Sequence, residues 1–150
     1  MTAQADRLAQ RVAARMMAED QASRGLGMTI LAIADGRAEL AMTVTDSMLN
    51  GHAICHGGFI FTLADSAFAF ACNSDNHRTV AQHAAVTFVR PARHGDRLTA
   101  TAQRRSSAGR TGIYDVTVTQ QDGAVIAEFH GLSRRIDGHI VDAATSSGDA

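Results

Sequence analysis

The sequence predicts an α+β domain in which a curled antiparallel β-sheet wraps around a central buried α-helix, with a further helix added at the N-terminus. Two observations lead to this prediction. Residues 59–72 form the most apolar stretch of the chain, and only Thr62, Asp65 and Ser66 in it are polar. The segments around it alternate apolar with polar side chains, as strands with one buried face do. Such a sheet can curl around a helix that is apolar on all sides, which buries both.

The elements are predicted in the order helix, two strands, central helix, four strands. The first helix covers residues 3–20, where Leu8, Val12 and Met16 recur at helical spacing. Short connections between the last four strands favour an antiparallel meander. An open edge strand is expected to pair with a second copy of the chain. The predicted strands cover residues 28–33, 37–45, 79–89, 97–104, 111–120 and 124–135.

The composition indicates a single domain without a nucleic-acid surface. At 150 residues the chain is long enough for one core, which we place in residues 1–136, followed by a flexible tail over 137–150. The net charge is −1 and no long basic run occurs, so binding to nucleic acid is not expected. The polar N-terminus lacks the pattern of a signal peptide, which favours a cytoplasmic protein with free thiols.

The central helix is expected to begin at Gly57 or Gly58, directly after a polar loop. At about 14 residues it is shorter than the ~20 that a membrane span requires, and Asp65 lies at its middle, so no membrane span is expected. The first N–H groups of a helix have no acceptor within the helix, and glycines let a ligand oxygen approach them closely. This geometry suits an oxyanion or a polarised carbonyl.

Asp65 requires an explanation, because ionised carboxylates are rarely buried without a partner. Two interpretations stay open. In the first, Asp65 forms a salt bridge to an arginine or faces a water pocket. In the second, it is a catalytic carboxylate in a cleft, where burial is part of its chemistry. Asp65 is the one charged side chain in the apolar stretch, and this isolation favours the second interpretation.

A metal site or a cysteine nucleophile is the weaker interpretation of the loop before the helix. His52, Cys55 and His56 lie close in sequence, but they lack the Glu of a His-Glu-x-x-His motif and a second Cys/His pair at zinc-finger spacing. Sequence neighbours such as Cys55 and His56 rarely point at each other, as a nucleophile and its base must. We therefore expect neither a metal ion nor another cofactor.

Several segments carry a resemblance to a known family. They read Asn-Gly-His at 50–52, Cys-His-Gly-Gly at 55–58 and Leu-Ala-Asp-Ser-Ala-Phe-Ala at 63–69. Together they closely resemble the motifs of the phenylacetic-acid-degradation thioesterases (the PaaI group), whose hotdog fold is a curled antiparallel sheet around a central helix. The likeness continues through Phe-Val-Arg-Pro at 88–91 and Thr-Gly-Ile-Tyr-Asp at 111–115, and it covers most of the chain.

The resemblance implies hydrolysis of acyl-coenzyme A thioesters, with a phenylacetyl or ring-hydroxylated phenylacetyl group as the acyl part. By position, Asp65 resembles the carboxylate that attacks the thioester or activates the water, and the Gly57 N–H resembles the oxyanion donor. Asn50 and His56 are expected to line the same site. The residues expected to contact the substrate are Gly58, Thr62, Ser66, Gln82, Arg90 and Arg110.

Three of these substrate-binding assignments have a specific basis. Gln82, aligned from Pro91, takes a position where close relatives often have a Ser near the carboxylate, and a Gln amide can also donate a hydrogen bond. Arg90 and Arg110 lie in the family-like segments that supply cations to the phosphates of coenzyme A. Ordinary solvated arginines are the alternative interpretation of both.

The spacing of Gly57 and Asp65 predicts a site shared between two subunits. Eight helical residues rise ~12 Å, so a carbonyl held at the Gly57 N–H is out of reach of Asp65 in the same chain. Two antiparallel helices across a two-fold axis bring these groups together. The resemblance implies the same homodimer, with pairs of dimers forming tetramers in many members. A hotdog acyl-coenzyme A dehydratase or hydratase, and a non-catalytic acyl-coenzyme A-binding module, are the alternative functions.

Overall fold

The computed structural model describes residues 2–142 and contains one long central helix and a six-stranded sheet. The helices are α1 (Ala3–Glu19), α2 (Gln21–Gly25) and α3 (Gly57–Cys72), with a 3₁₀ turn at Asp46–Met48. The strands are β1 (Thr29–Ala34), β2 (Arg37–Thr43), β3 (His77–Phe88), β4 (Arg97–Ala108), β5 (Thr111–Thr119) and β6 (Val125–His139). The predicted order of long helices and strands is confirmed, and each observed strand overlaps its predicted segment.

The sheet has the strand order β1-β2-β4-β5-β6-β3, with every pair antiparallel. Strands β4, β5 and β6 form the predicted meander. The inclusion of β3 in that meander was wrong, because β3 pairs with β6 at the edge and β4 pairs with β2. Apolar matching explains the difference: Leu40 and Met42 of β2 lie opposite Ala100 and Leu98 of β4, and all are fully buried. Residues 89–96 can reach ~26 Å, which exceeds the ~15 Å across three strand spacings.

The predicted central helix is confirmed as α3, and the sheet curls around it. Phe68 packs edge-on against Tyr114 with ring centroids 5.5 Å apart, and its ring lies 5.6 Å from that of Phe129. Gly131 of β6 permits this close approach, because a Cβ there would lie 2.9 Å from the Phe68 ring. Within residues 2–142, no helix is long and apolar enough to cross a membrane.

Two segment boundaries differ from the prediction. Residues 21–27, between the predicted first helix and the first predicted strand, contain the short helix α2, because the Asp20 carboxylate caps it by accepting the Ser23 N–H at 2.9 Å. Strand β6 continues to His139, beyond the boundary placed after residue 136, since His139 still pairs with His77 of β3. Residues 143–150 of the predicted tail lie outside the described part of the chain.

Both cysteines are free and buried, in agreement with the expected free thiols. Burial raises the pKa of the Cys55 thiol to about 11. It also raises that of Cys72 to about 12, with a smaller contribution from the Asp65 carboxylate. Neither thiol is therefore ionised near neutral pH, and a cysteine nucleophile at Cys55 is disfavoured.

Candidate active site

The start of α3 is fixed by the ring of His56. His56 is the N-cap residue, and its Nδ1 accepts the Gly58 N–H at 2.9 Å. Its own backbone N–H donates to the Met48 carbonyl at 2.7 Å, which ties the cap to the preceding loop. Because Nδ1 accepts a hydrogen bond, the neutral ring carries its proton at Nε2. His56 is exposed, so this Nε2–H is open to a ligand.

The Gly57 N–H is the open donor at this end of the helix. It donates to no acceptor among residues 2–142, whereas the Gly58 N–H is occupied by the cap. The ring of Phe88 lies over Gly57, and a Cβ at this glycine would be 2.8 Å from Phe88 Cζ. An N–H at the positive end of a helix suits a carbonyl oxygen that gains negative charge. The geometry therefore favours Gly57 over Gly58 as an oxyanion donor.

A cleft of about 490 Å³ opens beside the start of α3. Asn50 contributes to it from the preceding loop. Its Oδ1 accepts the N–H groups of His52 and Ile54 at 2.9 and 3.4 Å, while its Nδ2 has no acceptor within the described part of the chain. The side-chain oxygen of Asn50 thus stabilises the loop, and its side-chain N–H groups remain available to a ligand. Other residues that line the cleft include Gly57, Ile60, Phe88 and Arg90.

The two arginines predicted for coenzyme A lie in different places. Arg90 lines the cleft, and its Nη1 donates to the Val125 carbonyl at 2.8 Å. Arg110 lies in the turn between β4 and β5, where its guanidinium is 3.5 Å from Asp137, and it lines a separate smaller pocket. Within one chain, only Arg90 is therefore placed beside Gly57 and Asn50.

Asp65 is half-buried and has no partner in the described chain. Among residues 2–142 it forms neither a hydrogen bond nor an ion pair. Burial raises the pKa of its carboxyl above the ordinary value. A salt bridge to an arginine is thus not what accommodates Asp65 within the chain. A half-buried carboxylate that has no partner and a raised pKa is typical of a functional site.

The unbroken helix keeps Asp65 away from the cleft. Helix α3 runs continuously from Gly57 to Cys72, so the ~12 Å rise between Gly57 and Asp65 applies. Asp65 is not among the residues that line the cleft. A single chain therefore does not bring the expected oxyanion donor and the expected carboxylate together.

Thr62, Ser66 and Gln82 also lie outside the cleft. Thr62 Oγ1 donates to the Gly58 carbonyl at 2.8 Å, within the helix. The buried Ser66 hydroxyl is 2.8 Å from the Ser23 hydroxyl, which joins α3 to α2. Gln82 is exposed at an irregularity of the edge strand β3. In the isolated chain the two hydroxyls therefore have structural contacts, and Gln82 lies where a second chain can pack.

Phe88 and Ile60 line the cleft, although the sequence motifs did not indicate them as site residues. Phe88 ends β3, covers Gly57 and is 50% exposed. The sequence contained a signal for Phe88. Pro91 has no N–H and ends the regular strand pairing, so the aromatic residue just before it stands at the end of a strand. An apolar side chain at such an end is free to line a neighbouring cleft.

We expect the two roles of His56 to be separable. His56→Ala removes the acceptor of the Gly58 N–H and should lower the free energy of unfolding by ~0.5–2 kcal/mol. His56→Asn supplies another capping oxygen and should recover most of that loss. If the Nε2–H contacts the substrate, kcat/KM should stay at least ~10-fold low in both variants. Denaturant unfolding and steady-state kinetics measure the two effects, and full activity in His56→Asn would show that His56 is only a cap.

Comparison with known proteins places this geometry in a family. A model of the thioesterase superfamily matches residues 52–127, which include the end of the loop before α3, α3 itself and the strands β3, β4 and β5. The acyl-coenzyme A thioesterase PaaI of Escherichia coli (strain K12) is 46% identical over 125 residues, which cover 83% of this chain and 89% of that protein. Asp65 and every residue that lines the cleft except Asn50 lie within the range that the family model matches.

Solved structures agree with the sequence match. The E. coli PaaI protein from the phenylacetic acid degradation operon has a TM-score of 0.88 at 44% identity, over 89% of this chain and 97% of that one. A mutant of the phenylacetic acid degradation protein PaaI from Thermus thermophilus has a TM-score of 0.75 at 36% identity, over 78% of this chain and 100% of that one. The hotdog fold and the resemblance to the PaaI group are thereby confirmed, and the chain belongs to the thioesterase superfamily.

Proposed function

We propose that this protein hydrolyses acyl-coenzyme A thioesters to a free acid and coenzyme A. The observation that carries the proposal is the half-buried, unpartnered carboxylate of Asp65 on the same helix as the open N–H of Gly57. Thioester hydrolysis needs a donor for the carbonyl oxygen and a group that attacks or activates water, and these residues supply both. The E. coli relative is named as an acyl-coenzyme A thioesterase, which agrees with this chemistry.

In the proposed mechanism, the thioester carbonyl oxygen accepts the Gly57 N–H at the positive end of α3. Asp65 either removes a proton from the attacking water, or attacks the carbonyl carbon to form a mixed anhydride that water then hydrolyses to the free acid and the restored carboxylate. The Nδ2 of Asn50 and the Nε2–H of His56 donate to the bound thioester, and coenzyme A leaves when the C–S bond breaks. Single-turnover hydrolysis in ¹⁸O water distinguishes the roles of Asp65, since only attack by Asp65 leads to label in its carboxylate.

A second copy of the chain completes the proposed site. Within residues 2–142, the 12-residue strand β3 pairs with β6 on one side and leaves its other edge open. Val80, Phe88 and Val89 at this edge are 46%, 50% and 49% exposed. An open edge with exposed apolar side chains favours pairing with another strand. A two-fold axis beside β3 sets the α3 helices antiparallel, so that Gly57 acts with Asp65 of the partner subunit. Dimers that pair into tetramers are a further part of the proposal.

The proposed acyl part is a phenylacetyl or ring-hydroxylated phenylacetyl group. It is supported by the relatives, which are named for phenylacetic acid degradation. We assign Arg90 to the phosphates of coenzyme A, and its position in the lining of the cleft supports this assignment. A cytoplasmic location stays a prediction from the N-terminal sequence.

Release of free thiol from phenylacetyl-coenzyme A tests the proposed function. We expect equal amounts of thiol and free acid without any added cofactor. Conversion of a hydroxyacyl- or enoyl-coenzyme A without thiol release would indicate a dehydratase or hydratase instead. Binding without turnover across a panel of acyl-coenzyme A esters would indicate a binding module. Rates across the same panel rank the acyl groups.

A further inference from the structure

A second pocket, beside the C-terminal end of α3, is lined mainly by polar side chains. It holds about 50 Å³, which is room for a few water molecules or for one carboxylate or phosphate group. Its charged lining residues are Arg104, Arg110, Arg135 and Asp75, so positive charge is in excess. Arg135 is firmly paired, with its Nη2 at 2.7 Å from Asp75 Oδ2. The excess therefore resides on the other two arginines.

Arg104 and Arg110 differ in how firmly they are paired. The Nη1 and Nη2 of Arg104 lie 3.5 and 3.4 Å from the two carboxylate oxygens of Asp35, whose side chain is 20% exposed. Arg110 Nη2 is 3.5 Å from Asp137 Oδ1, and the side chain of Asp137 is 99% exposed. The contact of Arg110 to an exposed carboxylate contributes little, because water screens it. The Arg110 guanidinium is thus available to an anion, and its planar N–H pair matches the oxygens of a carboxylate or phosphate.

Tyr114 adds a hydroxyl donor to the same pocket. It is 4% exposed, and its ring is fixed against Phe68. Burial raises the pKa of Tyr114 to about 12, so the hydroxyl keeps its proton. The hydroxyl makes no hydrogen bond within residues 2–142, and Tyr114 lines the pocket. A ligand oxygen in the pocket can therefore accept the proton of this hydroxyl.

The pocket lies on the same face of α3 as Asp65. Cys72 lines it, and the seven residues from Asp65 to Cys72 turn the helix to within ~20° of two full turns. They advance ~10 Å along the axis. Burial is the main cause of the raised pKa of Cys72, and the negative charge of Asp65 raises it further. The two groups are therefore close enough to interact. An acyl group whose carbonyl reacts at Asp65 can therefore extend along this face to the pocket.

We propose that this second pocket binds an oxyanion, a carboxylate or a phosphate, that belongs to the substrate. Its position beyond Asp65, away from the cleft of Gly57 and Arg90, favours a carboxylate at the far end of the acyl group. A phosphate of coenzyme A is the other source of the same chemistry. The assignment to a substrate rests on the proposed function, whereas oxyanion binding itself does not.

Adipyl-coenzyme A and hexanoyl-coenzyme A test the pocket, because their acyl groups have equal length and only the first ends in a carboxylate. Arg110→Gln removes a loosely paired cation, and Tyr114→Phe removes the O–H that lines the pocket while it keeps the ring. Arg105→Gln is the matched control: Arg105 is similarly exposed, pairs with Asp115 at 2.6 Å and does not line the pocket. We expect the two pocket variants to lower the ratio of kcat/KM for adipyl-coenzyme A to kcat/KM for hexanoyl-coenzyme A about tenfold.

A different pattern would assign the oxyanion to coenzyme A. Both substrates would then lose equally in the pocket variants, and inhibition by coenzyme A, but not by dephospho-coenzyme A, would weaken. The oxyanion pocket is wrong if the pocket variants match Arg105→Gln on every substrate.

Absence of thiol release from both esters and from phenylacetyl-coenzyme A in the wild type would refute the proposed function instead. Calorimetric titration of wild type and Arg110→Gln with adipate and with coenzyme A then decides the pocket alone. Weaker binding of either probe by Arg110→Gln supports an oxyanion site, and unchanged affinity for both overturns it.

Discussion

Asp65→Asn is expected to lower kcat by ~10²–10⁴ while substrate binding largely survives. Asn has nearly the shape of Asp, but it can neither attack the thioester nor accept a proton from water. Because Asp65 has no ion-pair partner among residues 2–142, the substitution breaks no structural pair within the chain. Steady-state kinetics with phenylacetyl-coenzyme A and calorimetric binding of a non-hydrolysable analogue measure the two effects. Turnover near the wild-type rate would remove Asp65 from the mechanism.

The stability of the Asp65→Asn variant is the control for this loss. Burial raises the pKa of the Asp65 carboxyl in the folded chain above its value in the unfolded chain. The folded state therefore binds this proton more tightly, and the resulting stability is present below the unfolded pKa and lost as pH rises through the folded pKa. Asn has no such loss. We expect the Tm of the variant near pH 8 to equal or exceed that of wild type, and a clearly lower Tm would reveal a structural role for the carboxylate.

Gly57→Pro is expected to lower kcat by ~10²–10³, because it deletes one N–H from the oxyanion site. Proline is well tolerated as the first residue of a helix, where the N–H has no acceptor within the helix. The residue before it, His56, has φ −61° and ψ 133°, the extended conformation that favours a following proline. The substitution thus removes the donor at little cost to the helix, which circular dichroism can verify.

Gly57→Ala is the matched variant, since it keeps the N–H and adds only a Cβ. That atom would lie 2.8 Å from Phe88 Cζ, so the Phe88 ring must shift. Phe88 is half-exposed at the end of β3 and has room to move. We expect Gly57→Ala to keep kcat within about tenfold of wild type. Equal losses in the two variants would mean that crowding against Phe88, and not the missing N–H, lowers the rate.

Local sequence patterns were sufficient to predict the helix that carries the candidate site. The apolar run of residues 59–72 and the glycines before it predicted α3 and its start, because burial and helix-end chemistry act on neighbours in the chain. The rise of a helix then showed that Gly57 and Asp65 cannot meet within one chain. These inferences need no knowledge of which strands pair.

Strand pairing was less predictable, since it depends on contacts between distant residues. The alternation in β3 fits any neighbour with an apolar face, and a short connection pointed to β4. The structure instead pairs β3 with β6, because the apolar side chains of β2 match those of β4. An edge position for β3 leaves its outer side open, and this opening is what the proposed dimer uses.

The surroundings of single polar residues were also hard to predict. Ser66 follows Asp65, yet its hydroxyl contacts Ser23 in α2, a short helix that was not predicted from the sequence. Arg90 and Arg110 both lie in family-like segments, but only Arg90 lines the cleft beside Gly57. Neighbours in sequence on a helix point in different directions, and the element that meets each side chain is set by the tertiary fold.

Mixing an Asp65→Asn chain with a Gly57→Pro chain tests the shared site most directly. Each parent dimer lacks one essential group at both sites. A mixed dimer has one site with both substitutions and one site with neither, so equal mixing should restore about a quarter of the wild-type rate. Native mass spectrometry follows the exchange of subunits. If exchange is complete and the activity stays at the level of the parents, Gly57 and Asp65 do not act across two subunits.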